Sequence, residues 1–435
     1  MPNRREQVLQ RPIPTGADGI SQRAHRASGQ PISRLMHQAL AHPDLISLAA
    51  GFVDQQTLPL DPTRKALDRL WSDPAGARAA LQYGTTQGYL PLREALLADL
   101  RKADGGGRPD VSVDQVVVTA GSNQLLHLLA DTLLDPGDIV LCTSPSYFVY
   151  LGMLRSLGVR SVGVVSDEKG MVPEALEDSL RAIEAAGELA RVKAIYLVGY
   201  FDNPRGVTLA AERRGLVVEI AKRWSRAGKI YVIDDAAYRE LRYEGPDLPS
   251  LLAHDAERDT VILAQTFSKC YSPGIRLGYG VLPRQLVQPV LDQKGNADFG
   301  SPNFNQHLVA ALLEQNLLGP HVEQLRSNYR SKLAAMLEAA EQFLSPLPGV
   351  RWLRPAGGLY VWLALPPELP AGPGGGLVER ALTEGVLYVP GEYCYPEEGA
   401  AVEANTIRLS FGVQSRERIR LGIEALARAI RNCLE

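Results

Sequence analysis

Thr266-Phe267-Ser268-Lys269-Cys270-Tyr271-Ser272-Pro273-Gly274-Ile275-Arg276-Leu277-Gly278 is the stretch on which the reading of this chain turns. An apolar run at 260–264 precedes it and another at 277–282 follows, and both read as buried strands. One lysine therefore stands in a short polar turn between two core strands. Most lysines in such turns are surface residues. A lysine that makes a covalent bond needs partial desolvation, so that its amine is neutral, and rigid flanking elements. The neighbours decide between these readings. Thr266 and Ser268 offer hydroxyl donors and Arg276 a planar guanidinium, a set suited to a phosphate dianion. A lysine beside a phosphate cradle points to a cofactor carrying both an aldehyde and a phosphate, which is pyridoxal 5'-phosphate.

Upstream of this turn the chain alternates. Strands are expected at 116–118, 139–142, 162–165, 193–198 and 230–233, and helices at 124–134, 148–157, 173–186 and 211–227. Nearly continuous apolar strands alternating with helices predict an α/β domain of three layers, with a mostly parallel sheet covered on both faces. In such sheets ligands sit beyond the carboxyl ends of the strands. The polar candidates fall there, after Val118, Cys142, Val198, Ile233 and Ala264. Earlier segments read as a short helix at 33–41, a strand at 45–51 ending in a glycine turn, helices at 62–71 and 90–102, and a surface turn at 105–109. Beyond about Pro302 long helical stretches, 306–317 and 321–344, give way to short strands and a closing helix at 415–434. This predicts a smaller α+β domain. The expected division is an N-terminal arm, 1–32; a first part of the small domain, 33–60; a large domain, 61–318; and the rest of the small domain, 319–435.

Composition narrows the function. The chain has 435 residues, 45% hydrophobic and 22% charged, with formal net charge −3. That balance suits an ordinary globular enzyme and gives no support to nucleic-acid binding. No apolar run reaches membrane-spanning length. The arginine-containing start lacks the apolar core of a secretory signal and reads as an arm or lid. Four scattered cysteines argue for reduced thiols in a cytoplasm, and neither they nor the seven histidines have metal-ligand spacing.

Several residues complete the candidate site. Gly121-Ser122-Asn123 opens a helix straight after a strand, where free N–H groups and the positive helix end suit a phosphate. Tyr147 follows a strand end and can stack on a flat ring. Asn203 lies in a turn and can aim an amide donor at a phenolate oxygen. Asp234 and Asp235 end a buried strand, where carboxylates need a partner. A protonated pyridine nitrogen is such a partner and keeps the ring an electron sink. Tyr238, three residues past Asp235, can donate to a ring oxygen. Arg408 sits in an alternating strand, where it either grips a carboxylate in the site or faces solvent; its direction is not visible in the sequence.

In this order and spacing the motifs resemble those of the fold-type I, class I/II pyridoxal-phosphate aminotransferases, nearest the branch of 2-aminoadipate and kynurenine aminotransferases. The carriers are Gln82-Tyr83-Gly84 with Gly88-Tyr89, Gly121-Ser122-Asn123-Gln124, Pro145-Ser146-Tyr147, Asn203-Pro204-Arg205-Gly206, Asp235 with Tyr238, Ser268-Lys269, Arg276-Leu277-Gly278 and Arg408-Leu409-Ser410. The resemblance implies that Lys269 carries the Schiff base and that Asp235, with Asp234 as rival, pairs with the pyridine nitrogen. It implies that Asn203 and Tyr238 hold the ring oxygen and that Tyr147 stacks on the ring. Ser122, Asn123, Thr266, Ser268 and Arg276 would surround the phosphate. Tyr83 would reach the phosphate of a neighbouring subunit in a homodimer. Arg408 would grip the substrate carboxylate, with Gly51 and Asn203 beside it. The implied reaction moves an amino group from an L-amino acid to a 2-oxo acid such as 2-oxoglutarate by a ping-pong cycle. A lyase, decarboxylase or oxidase on the same scaffold is the alternative, and a cofactor-binding transcription regulator a more distant one. The chain departs from the family pattern at Arg205, where threonine is usual; Arg205, Phe52 and Tyr271 are expected to narrow or re-charge the pocket.

Overall fold

The computed structural model describes residues 19–28, 44–105 and 111–435. The helix expected at 33–41 and most of the 105–109 turn lie outside these residues, as does most of the 1–32 arm.

The predicted strands assemble into one nine-stranded sheet. From one edge, its order is Glu398–Gly399, Arg160–Asp167, Ile139–Ser144, Val192–Leu197, Tyr231–Asp235, Val261–Thr266, Gly278–Val281 and Val116–Thr119, with Gly170–Met171 paired beside Arg160–Asp167. Along that main path only Gly278–Val281 runs antiparallel to its neighbours. The central strands are buried along their whole length, as in Ile139–Ser144 and Val261–Thr266. Burial on both faces is why they read as unbroken apolar runs, without alternation. Helices such as Ser122–Leu133, Phe148–Leu157 and Ala211–Trp224 cover the two faces.

A four-stranded sheet lies in the C-terminal part, in the order Arg351–Trp352, Tyr360–Ala364, Thr406–Ser410, Val389–Pro390. The strand expected at 45–51 shrinks to Ile46–Ser47, which pairs in parallel with Val386–Leu387 and so ties the N-terminal segment to this part. The long helix Leu318–Phe343 packs on the closing helix Arg416–Leu434. Glu398–Gly399, from the same C-terminal part, instead joins the edge of the large sheet beside Val162 and Gly163. Two residues are too few for a periodic signal, so only the tertiary structure reveals that strand.

Four of the described α-helices were not foreseen: Gln22–Ala27, Pro74–Ala80, Arg284–Asp298 and Leu377–Thr383. Pro74–Ala80 is short, and Arg284–Asp298 contains Pro289. Proline inside a helix removes a hydrogen bond and masks the pattern, yet apolar Leu286 and Val290 still bury one face of it. Within the N-terminal arm, the described helix Gln22–Ala27 rests on Phe148–Leu157, and Arg26 donates from Nε to the carbonyl of Ser156 at 3.1 Å. It forms no wall of the cavity described next. Among the described residues no helix is long and apolar enough to cross a membrane.

Candidate active site

The carboxyl ends of five strands surround a cavity of about 180 Å³. Thr266 and Asp235 are the last residues of their strands; Tyr147, Asn203 and the Gly121–Asn123 turn follow three others. The turn Ser268–Arg276 closes one side.

At one end lies a set of donors. The helix Ser122–Leu133 begins at Gly121, φ 86°, without a side-chain cap, so its first N–H groups are free of one. Gly278 must be glycine here, because a Cβ would come within 2.7 Å of the Ser122 nitrogen. Thr266 Oγ1 donates to Ser268 Oγ at 3.0 Å and accepts from the Ser268 N–H. Arg276, itself at φ 45°, brings Nη2 to 3.2 Å from where a Gly121 Cβ would stand and donates to the carbonyl of Ala120. An uncapped helix start, two hydroxyls and an exposed guanidinium thus meet at one point, which is the donor set of a phosphate site.

At the other end stands Asp235. It accepts from the Tyr196 hydroxyl at 3.0 Å and from the Ala237 N–H at 3.3 Å. Burial pushes its pKa up to about 6 despite these two donors. Asp234 points the opposite way, as strand alternation requires. It accepts from the Leu251 N–H, next to Arg214 and Arg239, and is absent from the cavity wall. Of the two rival carboxylates, Asp235 is the one in the cavity.

Lys269 reaches between these ends. Its Nζ donates to the Gly51 carbonyl at 2.7 Å. The residue is half-buried, but its amine is surrounded by protein. Burial pushes the amine's pKa down; the Tyr360 phenol works against that, and the Arg408 and Arg276 cations add to it. A cationic amine held there is destabilised, so the neutral nucleophile lies closer at hand. Asn123 hydrogen-bonds the Tyr147 hydroxyl, and these two side chains form a further wall.

Arg408 points inward, settling the direction left open by the sequence. It is buried, donates from Nη1 to Asn203 Oδ1 at 2.8 Å and from Nη2 to the Ala49 carbonyl at 2.6 Å, and leaves Nε without a partner. Because Asn203 spends its oxygen on Arg408, its amide donor is left for an acceptor in the cavity. Gly51 lies against this group: a Cβ there would stand 2.6 Å from the Tyr360 hydroxyl. Tyr360 itself was missed by sequence reasoning. It sits in an apolar strand, Tyr360–Ala364, and nothing local marks it.

Other expectations are corrected. Arg205 lies outside this cavity. Its guanidinium donates to the Ser166 and Asp167 carbonyls, 3.8 Å from Asp202, and lines a separate cleft of about 660 Å³ bounded by Trp352 and Trp362. Tyr271 is also outside, its hydroxyl 2.6 Å from Thr63 Oγ1. Phe52 is half-exposed and no part of the wall. Tyr83 was expected to reach a second copy rather than its own cavity, and in keeping with that it is 82% exposed, off the cavity wall, and meets Phe299 edge-on at 5.7 Å.

A phosphate cradle, a carboxylate in need of a cation and a desolvated amine fit pyridoxal 5'-phosphate, and define a lysine-dependent enzyme of that cofactor. The family model of aminotransferase class I and II matches residues 43–426. The 2-aminoadipate transaminase of Thermus thermophilus is 35% identical over 395 residues, 90% of this chain and 91% of that one. The aromatic-amino-acid aminotransferase 1 of Thermococcus litoralis is 33% identical over 394 residues, 89% and 88% of the two chains. The solved kynurenine aminotransferase of Pyrococcus horikoshii, in complex with pyridoxamine phosphate, superimposes with a TM-score of 0.87 at 33% identity, covering 96% of this chain and 98% of the other. The chain belongs to the class I and II aminotransferases. It is a pyridoxal-phosphate enzyme of fold type I that transfers amino groups.

Proposed function

We propose that the enzyme moves the amino group of an L-amino acid to 2-oxoglutarate, with Lys269 as the residue that carries the cofactor and moves the proton. The observation that carries this reading is the position of the Lys269 amine, inside a cavity with Asp235 at one end and the Ser122 helix start, Ser268 and Arg276 at the other. Bound pyridoxal phosphate supplies an aldehyde that takes up the substrate's amino group and a cationic ring that withdraws electrons from its α-carbon. Asp235 holds the ring nitrogen's proton. Ser122, Asn123, Thr266, Ser268 and Arg276 fix the phosphate, and Tyr147 covers the ring face. Asn203 and Tyr238 donate to the ring oxygen. The Lys269 amine, whose cationic form burial disfavours, would serve as the base that takes the substrate's α-proton within the cavity.

Arg408 holds the substrate's α-carboxylate beside Gly51. Replacing Arg408 with glutamine removes a charge-assisted clamp, and kcat/KM for the amino acid falls about 10²-fold while the bound cofactor's absorbance stays. Steady-state kinetics alongside a spectrum check this. Unchanged kcat/KM dismisses the role.

Tyr83 extends to the phosphate site of a second copy in a homodimer. The exposed apolar side chains of Leu60, Leu81, Tyr83 and Phe299 support that surface as the interface. The four unpaired cysteines support a cytoplasmic location. The reaction is tested by screening amino acids with 2-oxoglutarate. Consumption of 2-oxoglutarate matched one to one by glutamate is expected for at least one donor. Release of carbon dioxide or ammonia without that consumption refutes the transfer reaction in favour of a lyase or oxidase.

A further inference from the structure

The strand Tyr360–Ala364 delivers a residue that the scheme above leaves without a role. In the antiparallel ladder Tyr360 pairs with Ser410 and Trp362 with Arg408. Tyr360 and Arg408 are therefore diagonal neighbours on one face of the small sheet, and that face looks onto the cavity region. The Arg408 guanidinium lies over the Tyr360 ring, 4.5 Å from its centre. The Tyr360 hydroxyl stands 3.1 Å from the Tyr238 hydroxyl, with the two rings edge to face at 77°. Both phenols are buried.

Only one proton fits between two hydroxyl oxygens at that distance. We propose that Tyr360 is a positioning residue that donates its proton to the Tyr238 oxygen, so that the Tyr238 proton is free to be given to the cofactor's ring oxygen. The inference rests on the role given to Tyr238 above. A phenol that has committed its own proton still has lone pairs, and Tyr360 fills one of them. Arg408 meets Tyr360 through the ring face and gives its Nη donors to Asn203 and Ala49. Gly51, lacking a Cβ, leaves the Tyr360 hydroxyl its place. Hydrogen bonds in such a chain reinforce one another, so Tyr238 is a better donor with Tyr360 behind it than alone.

The readout is the pH at which the visible absorbance of the loaded enzyme titrates. A donor at the ring oxygen stabilises its anion, the form that dominates after the nitrogen beside it has lost its proton. The donor therefore lowers the midpoint, and weakening it raises the midpoint. The groups facing Tyr238 and Lys269 are Tyr147, Asp235 with its partner Tyr196, Arg276, Arg408 and Tyr360. All but Tyr360 are kept in the variant.

Tyr360→Phe, which retains the ring, is expected to raise the midpoint by about 0.5–1 pH unit, the worth of one neutral hydrogen bond. In a Tyr238→Phe background, whose own midpoint is raised, adding Tyr360→Phe is expected to move it no further. Equal shifts in both backgrounds, or no shift with Tyr238 intact, overturn the relay while leaving the Tyr238 assignment standing. A Tyr238→Phe variant that titrates like the parent overturns both.

Discussion

Replacing Lys269 with alanine abolishes the visible absorbance of the bound cofactor and lowers turnover by at least about 10³-fold. The loss is large because the proposed mechanism gives one amine two jobs: forming the bond that holds the cofactor ready, and moving a proton within the reacting substrate, which alone is worth about 10²–10⁴-fold. Folding should survive. The side chain makes a single donation, to the Gly51 carbonyl, and Lys269 itself lines a cavity that water can enter. Lys269→Arg separates charge from nucleophilicity. A guanidinium keeps the cation but does not deprotonate in proteins, so it is expected to fail equally. Turnover and spectra of the two variants decide the matter, and activity retained in either one removes Lys269 from the mechanism.

The second large effect is at Asp235, and it has opposite signs for stability and for activity. In the cofactor-free protein, burial holds the Asp235 carboxyl at a pKa of about 6 against an ordinary 3.8. The folded state thus binds a proton more readily than the unfolded one. Its contribution to stability is neutral below about pH 4, turns unfavourable as pH rises toward 6, and is fully unfavourable above that. The gap amounts to about 3 kcal/mol. Asp235→Asn should therefore stabilise the cofactor-free protein at pH 8, and the gain should shrink as pH falls through 6. Thermal unfolding of both proteins across that range measures it. The same substitution leaves the ring nitrogen's cation unpaired in the loaded enzyme. Breaking a buried charge pair costs about 3–5 kcal/mol, which corresponds to a loss of about 10²–10⁴-fold in kcat/KM. An asparagine variant that is less stable than the parent at pH 8, or fully active, contradicts this account of the carboxylate.

A cationic ligand would stabilise the carboxylate, and such an arrangement would explain why an unfavourable group persists at a strand end. Binding of a cationic ring to the folded protein alone would add its own stabilisation by mass action. The protein thus holds a carboxylate that is poorly satisfied without the cofactor, with the Tyr196 hydroxyl and the Ala237 N–H as its only hydrogen-bond donors among the described residues.

Much of this was legible in the residues themselves. The lysine turn, the apolar strands around it and the glycine turn into the helix at Ser122 are local patterns, because buried parallel strands and uncapped helix starts leave their mark within a few neighbouring positions. The choice of Asp235 over Asp234 rested on the family resemblance alone, since adjacent strand residues differ only in which face they meet, and that depends on what covers each face. The direction of Arg408 was equally hidden: it follows from the pairing of Thr406–Ser410 between two other strands far away in sequence. Arg205 reads as a pocket residue from its place beside Asn203, yet its carbonyl partners at Ser166 and Asp167 draw it to a different cleft. Tyr360 carries no local signal at all, because its role depends on meeting Tyr238, 122 residues earlier. By itself the sequence determined the chemistry on offer: a lysine and hydroxyl donors in one polar turn, and a sheet of buried strands to hang them on. Only the tertiary structure decided which side chains share the cavity, because facing is set by long-range packing and strand register, and neither is written in any one segment.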